Sequence, residues 1–258
     1  MNFNLENIPN RSKKPRKDGL TMVMDKGLSL RGVEDFLSTS LDYVDIVKLG
    51  FGTSVLTKNL SEKINLYKEA GLKLYLGGTL FEIFIIRNQY KDFQDILYKY
   101  EIDTIEISDG SIHLEHTKKC EYIYELSKNF TVISEVGSKE SNTVIPPYKW
   151  IEMMQKELDA GSWKVVAEAR EGGNVGVFRN SGEVRSDLVD EILTKIPKNK
   201  IIWEAPKKNQ QVWFIKLLGS DVNLGNINAH EVIPLECLRL GLRGDTFFDF
   251  LPENIKKC

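Results

Sequence analysis

Short apolar stretches alternate with longer amphipathic stretches along the chain after Gly19. The short stretches are rich in β-branched and aromatic residues, and the longer ones repeat apolar residues every three to four positions, so the pattern predicts alternating strands and helices. Such an alternation is typical of βα units around a parallel sheet. The predicted strands are Leu20–Asp25, Val44–Leu49, Leu72–Gly77, Thr104–Ser108, Thr131–Val136, Lys164–Ala169, Lys200–Glu204 and Val222–Leu224.

The amphipathic stretches carry start and stop signals of helices. Ser29 is the predicted N-cap of the first helix, and Pro146 and Pro147 precede a later one. Gly71, Gly161 and Gly219 each follow the last apolar residue of a helical pattern, where glycine commonly ends a helix. Helices are therefore expected between consecutive strands.

Eight predicted strands in a chain of 258 residues predict an α/β fold, a single (β/α)8 barrel over residues 20–258. An open doubly wound sheet has the same alternation and is the alternative. The barrel is favoured because no Gly-x-Gly-x-x-Gly follows the first strand and because polar residues end nearly every strand. Residues 1–19, with a basic run from Arg11 to Lys17, are interpreted as a short solvated N-terminal arm.

Composition and charge exclude several classes of protein. A net charge of −2 gives no global field for nucleic acid or a membrane surface. The mean hydropathy of −0.28 and the absence of an apolar run near the ~20 residues of a spanning helix argue against a transmembrane protein. The N-terminus lacks the apolar core of a signal peptide, so we expect a cytoplasmic protein. Cys120, Cys237 and Cys258 are interpreted as reduced thiols, and His113 and His116 as surface histidines.

Polar and charged residues stand at the carboxyl ends of the predicted strands. In a (β/α)8 barrel these ends converge on one mouth, where active sites of the fold lie. Charges are costly to bury unpaired, so packing alone does not explain them. The sequence therefore predicts a polar catalytic mouth formed by Asp25–Lys26, Lys48, Gly77–Thr79, Glu106–Gly110, Glu135, Glu168–Glu171, Glu204 and Asn223.

Both signs of charge at these strand ends carry chemical information. Carboxylates favour a hard divalent cation, most simply Mg2+, and interspersed cations favour an anionic substrate. The glycine pairs Gly77–Gly78 and Gly172–Gly173 allow backbone N–H groups to approach an anion. The residues thus indicate Mg2+-assisted chemistry on a phosphorylated or carboxylated substrate, with the reaction type open. The carboxylates are Asp25, Glu106, Glu135, Glu168 and Glu204, and the cations are Lys26, Lys48, Lys139, Arg170, Lys207 and Lys208.

Eight motifs, in order and with compatible spacing, resemble those of the phosphosulfolactate synthases, from about Pro15 to Thr246. They are LTMVMDKG at Leu20–Gly27, VKLGFGTS at Val47–Ser54, GGTLFE at Gly77–Glu82, EISDGS at Glu106–Ser111, EVG at Glu135–Gly137, WEAPK at Trp203–Lys207, VNL at Val222–Leu224 and LGLRGDT at Leu240–Thr246.

The resemblance implies a (β/α)8 barrel that adds sulfite to phosphoenolpyruvate in a Mg2+-dependent reaction and forms (2R)-phospho-3-sulfolactate. That product leads to coenzyme M in methanogens and to sulfolactate in some spore-forming bacteria. On this resemblance we assign the metal ligands or their support to Asp25, Glu135, Glu168 and Glu204. Lys139 is the candidate proton donor and Glu106 the second catalytic candidate, and the substrate contacts are Lys26, Lys48, Arg170, Lys207, Asn223 and Arg243.

The chain departs from the family pattern in two places. Many relatives have a lysine directly after Glu-Val-Gly, whereas this chain has Ser138, so the proton-donor assignment moves to Lys139. The loop from Ser111 to His116 is shorter than in archaeal relatives.

Two other functional hypotheses remain open, and the sequence also suggests an oligomeric state. One is a different Mg2+-dependent barrel enzyme acting on phosphoenolpyruvate or a related small phosphorylated acid, and the other is a barrel that only binds a small anion. Family analogy implies a homo-oligomer, with a trimer as one form. The aromatic tail Phe247–Leu251 is a candidate interface.

Overall fold

The computed structural model describes residues 2–137, 145–170 and 172–256, and in these ranges eight parallel strands form one sheet that curls into a nearly closed barrel. The hydrogen-bonded order is β3-β2-β1-β8-β7-β6-β5-β4, and β3 and β4 lie side by side. The predicted barrel is thus confirmed over the open sheet. The strands are β1 (Thr21–Asp25), β2 (Ile46–Leu49), β3 (Lys73–Leu76), β4 (Thr104–Ile107), β5 (Thr131–Val136), β6 (Lys164–Ala167), β7 (Ile201–Glu204) and β8 (Leu224–Asn228).

Helices cover the outside of the barrel. None of those described is both long and apolar enough to cross a membrane. Single 3-10 turns precede β2 and β7 and follow β8. The α-helices are α1 (Leu30–Ser40), α2 (Thr53–Leu56), α3 (Leu60–Glu69), α4 (Gly78–Ile85), α5 (Tyr90–Lys99), α6 (His116–Leu126), α7 (Pro147–Asp159), α8 (Ser186–Leu193), α9 (Lys208–Leu218) and α10 (Val232–Arg239).

The predicted helix signals are confirmed. The Ser29 hydroxyl accepts a hydrogen bond from the Gly32 N–H at 3.0 Å and caps α1. Pro147 is the first residue of α7, where its missing N–H removes no helical hydrogen bond. Gly71 and Gly219, with φ of 72° and 92°, follow α3 and α9 in a conformation that glycine adopts without strain.

Two apolar cores hold the barrel together. The larger one fills the space between the strands and the helices, where Val23, Ile105, Val165 and Trp203 are buried. The smaller one fills the inside of the barrel, with Tyr75 of β3 at the level of Lys48 and its other members toward the amino ends of the strands. Those other members are Leu20, Met22, Ile46, Ile133, Val166 and Ile202. The inner space is therefore packed with side chains up to the level where the polar mouth begins.

The last strand is the one whose predicted position is wrong. It covers Leu224–Asn228 instead of Val222–Leu224, and its pairing with β1 shifts between Thr21 and Val23. This β-bulge places Asn226 at a φ of 59°, and a bulge re-aims side chains locally. The Gly-Asn pair inside the strand hid it from the sequence pattern.

The solvated-arm interpretation fails for the second half of residues 1–19. Arg11 donates to Glu236 at 3.0 Å, to Asp221 and to the Gly19 carbonyl, and its side chain is 8% exposed. Arg16 pairs with Asp45 at 3.1 Å. These contacts lie at the amino ends of the strands, so the arm closes the base of the barrel.

Candidate active site

On several strands, the side chains that face the inside of the barrel change from apolar to polar between one inward-facing residue and the next, toward the carboxyl end. Side chains two residues apart on a strand share a face. Four members of the inner core are Ile46, Ile133, Val166 and Ile202. The next inward-facing residues toward the carboxyl ends are Lys48, Glu135, Glu168 and Glu204. The mouth is therefore the polar layer directly above the packed interior.

Three of the predicted metal ligands come together in this layer. Glu135, Glu168 and Glu204 are buried, and one carboxylate oxygen of each lies within 4.8 Å of the others. Glu204 Oε2 accepts a hydrogen bond from the Ala169 N–H at 2.9 Å, and Glu168 Oε1 accepts one from the Arg170 N–H. Buried carboxylates at this spacing repel one another, and a hard divalent cation prefers oxygen donors of this kind. The donor set thus fits Mg2+.

Lys48 lies against the same carboxylates from β2. Its ammonium is 2.9 Å from Glu106 Oε1, 3.5 Å from Glu135 Oε2 and 3.8 Å from Glu204 Oε1. Burial alone lowers the pKa of Lys48, but the facing carboxylates, Glu106 first, outweigh it and raise that pKa well above its usual value. Lys48 is consequently a fixed positive charge in the mouth.

Two glycines allow the polar side chains to approach. A Cβ on Gly78 would lie 2.5 Å from Ser108 Oγ and 2.7 Å from Glu106 Oε1. A Cβ on Gly137 would lie 2.5 Å from the Cβ of Glu168, and Gly137 has a φ of 138°. Any larger residue at either position would displace a side chain of the mouth.

A cavity of about 420 Å³ opens above these residues. Arg170 stands at its rim with a φ of 56°, an uncommon conformation for a non-glycine residue. The cavity combines carboxylates with cationic and neutral hydrogen-bonding groups, which suits a small anion held beside a metal ion. Its lining is Met24, Lys48, Phe51, Thr79, Ser111, Glu135, Glu168, Arg170, Gly172, Asn174, Glu204 and Asn226.

Asp25, the fourth predicted metal residue, lies outside the three-carboxylate group. Its Oδ1 accepts from the N–H groups of Gly27 and Leu28, both at 2.8 Å. Its Oδ2 accepts from the Tyr67 hydroxyl at 2.8 Å and lies 2.7 Å from Lys63 Nζ. Asp25 therefore fixes the turn after β1 against α3.

The remaining predicted substrate contacts lie farther out. Lys26 and Lys207 are exposed residues of the loops that follow β1 and β7. Arg243 follows α10 and is half-buried. Among the described residues, the lining of the cavity includes none of these three. Lys139, the candidate proton donor, lies outside the described residues.

Asn223 was expected at the mouth, and the structure places it at the opposite end. It precedes β8, where its Oδ1 accepts from the Leu20 N–H at 3.0 Å and its Nδ2 donates to the Ile201 carbonyl at 3.0 Å. The bulge in β8 brings Asn226 to the cavity instead. This correction follows from the two-residue error in the strand.

Sequence reasoning missed the buried charges that support the mouth from the helices. Lys63 and Lys119 are each 1% exposed on α3 and α6, and Glu82 and Glu157 are buried on α4 and α7. A signal was present, because Lys119 stands four residues before Ile123 on the apolar face of α6. A lysine on that face predicts a buried partner, although not which one.

Comparisons with known proteins were consistent with one another. A sequence model of the family described as (2R)-phospho-3-sulfolactate synthase (ComA) matches residues 9–245. The chain is 42% identical over 249 residues to phosphosulfolactate synthase of Bacillus subtilis, covering 95% of this chain and 98% of that protein. It is 43% identical over 235 residues to phosphosulfolactate synthase of Methanocaldococcus jannaschii, covering 89% of this chain and 94% of that protein.

Solved structures support the fold. The crystal structure of 3-hexulose-6-phosphate synthase from Salmonella typhimurium superposes with a TM-score of 0.55 at 13% sequence identity, covering 84% of this chain and 98% of that one. At this identity the likeness establishes the barrel architecture alone.

Proposed function

The chain belongs to the (2R)-phospho-3-sulfolactate synthase family, carbon–sulfur lyases that add sulfite to phosphoenolpyruvate, and on this premise we propose which residues carry out the reaction. The observation that carries the proposal is the group Glu135, Glu168 and Glu204 at the mouth of the barrel. We assign the binding of Mg2+ to this group and the support of the neighbouring β1 turn to Asp25.

The reaction joins two anions, and the electron flow defines what the site must supply. Addition of the sulfite sulfur to C3 of phosphoenolpyruvate moves an electron pair toward the substrate carboxylate, and a proton must then reach C2. Bound Mg2+ would supply positive charge beside that carboxylate, which stabilises the transition state more than the substrate.

Lys48 and Arg170 supply the protein's own positive charge. Lys48 is buried under the cavity and Arg170 stands at its rim, so together they can hold anionic groups at two depths. Lys26 and Lys207, on the loops after β1 and β7, serve as outer contacts that draw in the substrates. Thr79, Ser111 and Asn226 line the same cavity and complete the hydrogen bonds to oxygen atoms of the substrate.

The proton for C2 needs a donor outside the carboxylate group. Lys48 is held among Glu106, Glu135 and Glu204, so we assign its ammonium to charge balance and anion binding. Lys139, which follows β5 two residues after Gly137 in the sequence, is the proposed donor.

The metal assignment is tested by Glu168→Gln. We expect the affinity for Mn2+, measured by electron paramagnetic resonance without substrates, to fall by at least ~10–100-fold. That is the loss caused by changing residues that only orient metal ligands, and Glu168 is a proposed ligand itself. Glu152→Gln, on the exposed face of α7, is the matched control and should bind Mn2+ normally. Equal Mn2+ affinity in Glu168→Gln and the unaltered protein would contradict the assignment of metal binding to the three carboxylates.

The reaction itself is tested by one assay. Incubation with Mg2+ and phosphoenolpyruvate, with and without sulfite, should show loss of enol-phosphate absorbance only when sulfite is present. Loss without sulfite would point to a barrel enzyme with another nucleophile, and no loss with either would point to an anion-binding protein.

The setting of the enzyme forms a further part of the proposal. Free Cys120 and Cys237 suit the reducing cytoplasm, and the product would enter sulfolactate or coenzyme M synthesis. A homo-oligomer, with a trimer as one form, is supported by the exposed Phe247 and Phe248 of the C-terminal tail. Light scattering coupled to size exclusion would contradict this if it gave a monomer at all concentrations.

A further inference from the structure

A buried lysine on α6 lies behind the metal-binding wall of the mouth. Lys119 is 1% exposed, and its ammonium donates to the main-chain carbonyl of Glu135 at 2.6 Å. It also lies 2.9 Å from Asp109 Oδ1 and 2.8 Å from Glu157 Oε1. One side chain thus joins the loop after β4, the end of β5 and helix α7.

One buried ammonium faces two carboxylates in this cluster. Burial alone would lower the pKa of Lys119, but Glu157 and Asp109 outweigh it and raise that pKa, so the ammonium stays protonated. Glu157 is fully buried, and its Oε1 lies 3.2 Å from His116 Nε2. The other charged group that faces the ammonium is Asp109, whose side chain is 21% exposed.

Packing alone does not explain a lysine at this position. Lys119 occupies the face of α6 that also buries Ile123 and Leu126, where an apolar residue would avoid the desolvation of three charged groups. Its ammonium instead bonds the backbone of the residue whose carboxylate belongs to the metal group. A shift of the Glu135 backbone would move that carboxylate relative to Glu168 and Glu204.

We propose that Lys119 is a positioning residue for the metal site: it holds the carbonyl of Glu135 and thereby aims the Glu135 carboxylate into the three-carboxylate group, with Glu157 and Asp109 as its fixed counterions. The inference rests on the proposed metal-binding function of that group. Partners behind a metal ligand orient it, and their loss typically weakens metal affinity while the ligands themselves remain.

The experiment compares variants by Mn2+ binding without substrates and by the Mg2+ dependence of turnover. Lys119→Met leaves two carboxylates without their cation and can prevent folding, so the double variant Lys119→Met with Glu157→Gln, which removes one charge of each sign, is the decisive protein. We expect its dissociation constant for Mn2+ to rise by ~10–100-fold. Its KM for Mg2+ should rise in step, with kcat largely restored at saturating Mg2+.

The matched control is Lys164→Met. Lys164 is also a buried lysine that donates to main-chain carbonyls, those of Lys17 and Asn199, but it lies at the amino end of β6. Its loss should lower thermal stability and leave the dissociation constant for Mn2+ unchanged.

Three results would decide between the ideas. If the folded double variant binds Mn2+ like the unaltered protein and Glu168→Gln binds it more weakly, the positioning role of Lys119 is overturned and the metal site is retained. Equal binding by all these proteins, Glu168→Gln included, overturns the metal site itself. A fall in melting temperature of the double variant with no change in Mn2+ affinity or KM for Mg2+ would show that Lys119 is only structural.

Discussion

The two ends of the barrel bury charged side chains in opposite arrangements. At the carboxyl ends of the strands, Glu135, Glu168 and Glu204 place like charges within 4.8 Å of one another. At the amino ends, cations bind counterions and main-chain carbonyls: Arg11 contacts Glu236 and the Gly19 carbonyl. Repulsion raises the energy of the first arrangement, whereas hydrogen bonds and ion pairs offset the desolvation of the cations in the second.

The amino end also has hydrogen bonds from a buried cation to the backbone. Arg239 is fully buried and donates to the carbonyls of Ser220, Val222 and Leu20 at 2.6, 2.7 and 3.3 Å. These carbonyls lie in the segments that lead into β1 and β8. The arginine therefore satisfies backbone groups where two strands begin, and helps to hold the barrel closed.

The contrast teaches where function and stability reside in this fold. A group of like charges persists in a native protein when the surrounding fold provides the energy to hold it together, and such groups are typical of ligand sites. Changes at the mouth should therefore affect activity more than stability, and changes at the base should do the reverse.

The largest expected effect is that of Lys48→Met at the mouth. Loss of the fixed charge should lower kcat/KM by ~10²–10³, the range measured when one electrostatic group of an active site is removed. Affinity for Mn2+ should be retained or should increase, because a cation no longer opposes the metal. Steady-state kinetics and Mn2+ titration measure the two quantities, and near-normal kcat/KM would contradict the role given to Lys48.

A smaller effect of the opposite kind is expected for Arg11→Ala at the base. Glu236 would lose its nearer cation in a site where both side chains are 8% exposed and would keep only Arg239 Nε at 4.0 Å. Breaking a buried pair costs about 3 kcal/mol of unfolding free energy. Urea denaturation would measure this loss, while kcat at low temperature should be unchanged. A drop in kcat with unchanged stability would break the division between the two ends.

The smallest effect is a pH dependence at the base. Burial lowers the pKa of Lys164 to about 8 from its ordinary value of 10.5. Between these values the unfolded chain holds the proton and the folded protein does not, so the contribution of Lys164 to stability rises with pH in that window. The melting temperature of the unaltered protein relative to Lys164→Met should therefore increase from pH 8 to pH 10. A constant difference would contradict the shift.

The fold could be predicted because the chain repeats one pattern eight times. The strand Thr131–Val136 was predicted with its observed bounds, since a short run rich in β-branched residues between Asn129 and Gly137 defines it. The strand Leu224–Asn228 was misplaced because a bulge depends on pairing with β1, which local sequence does not encode.

The candidate site was predicted in part for the same reason. Glu135 and Glu204 are recognisable because each is the last or the next-to-last residue of a run of buried strand residues, whereas Asn226 lies within a strand that the sequence pattern did not predict. Asp25 has the same sequence context as these glutamates. Its contacts are made by Lys63 and Tyr67 of α3, which lie 38 and 42 residues farther along the chain. Such contacts between distant segments are invisible to periodicity.

The sequence by itself determined the order of strands and helices, the barrel, and the family, because hydrophobic period and motif spacing are local properties. Only the tertiary structure decided which charges meet. It joined Glu135, Glu168 and Glu204 at the mouth, set Lys119 behind Glu135, and fastened Arg11 to the base. The physical reason is that electrostatic energy depends on distance in space and on burial, and both are fixed only when the barrel closes.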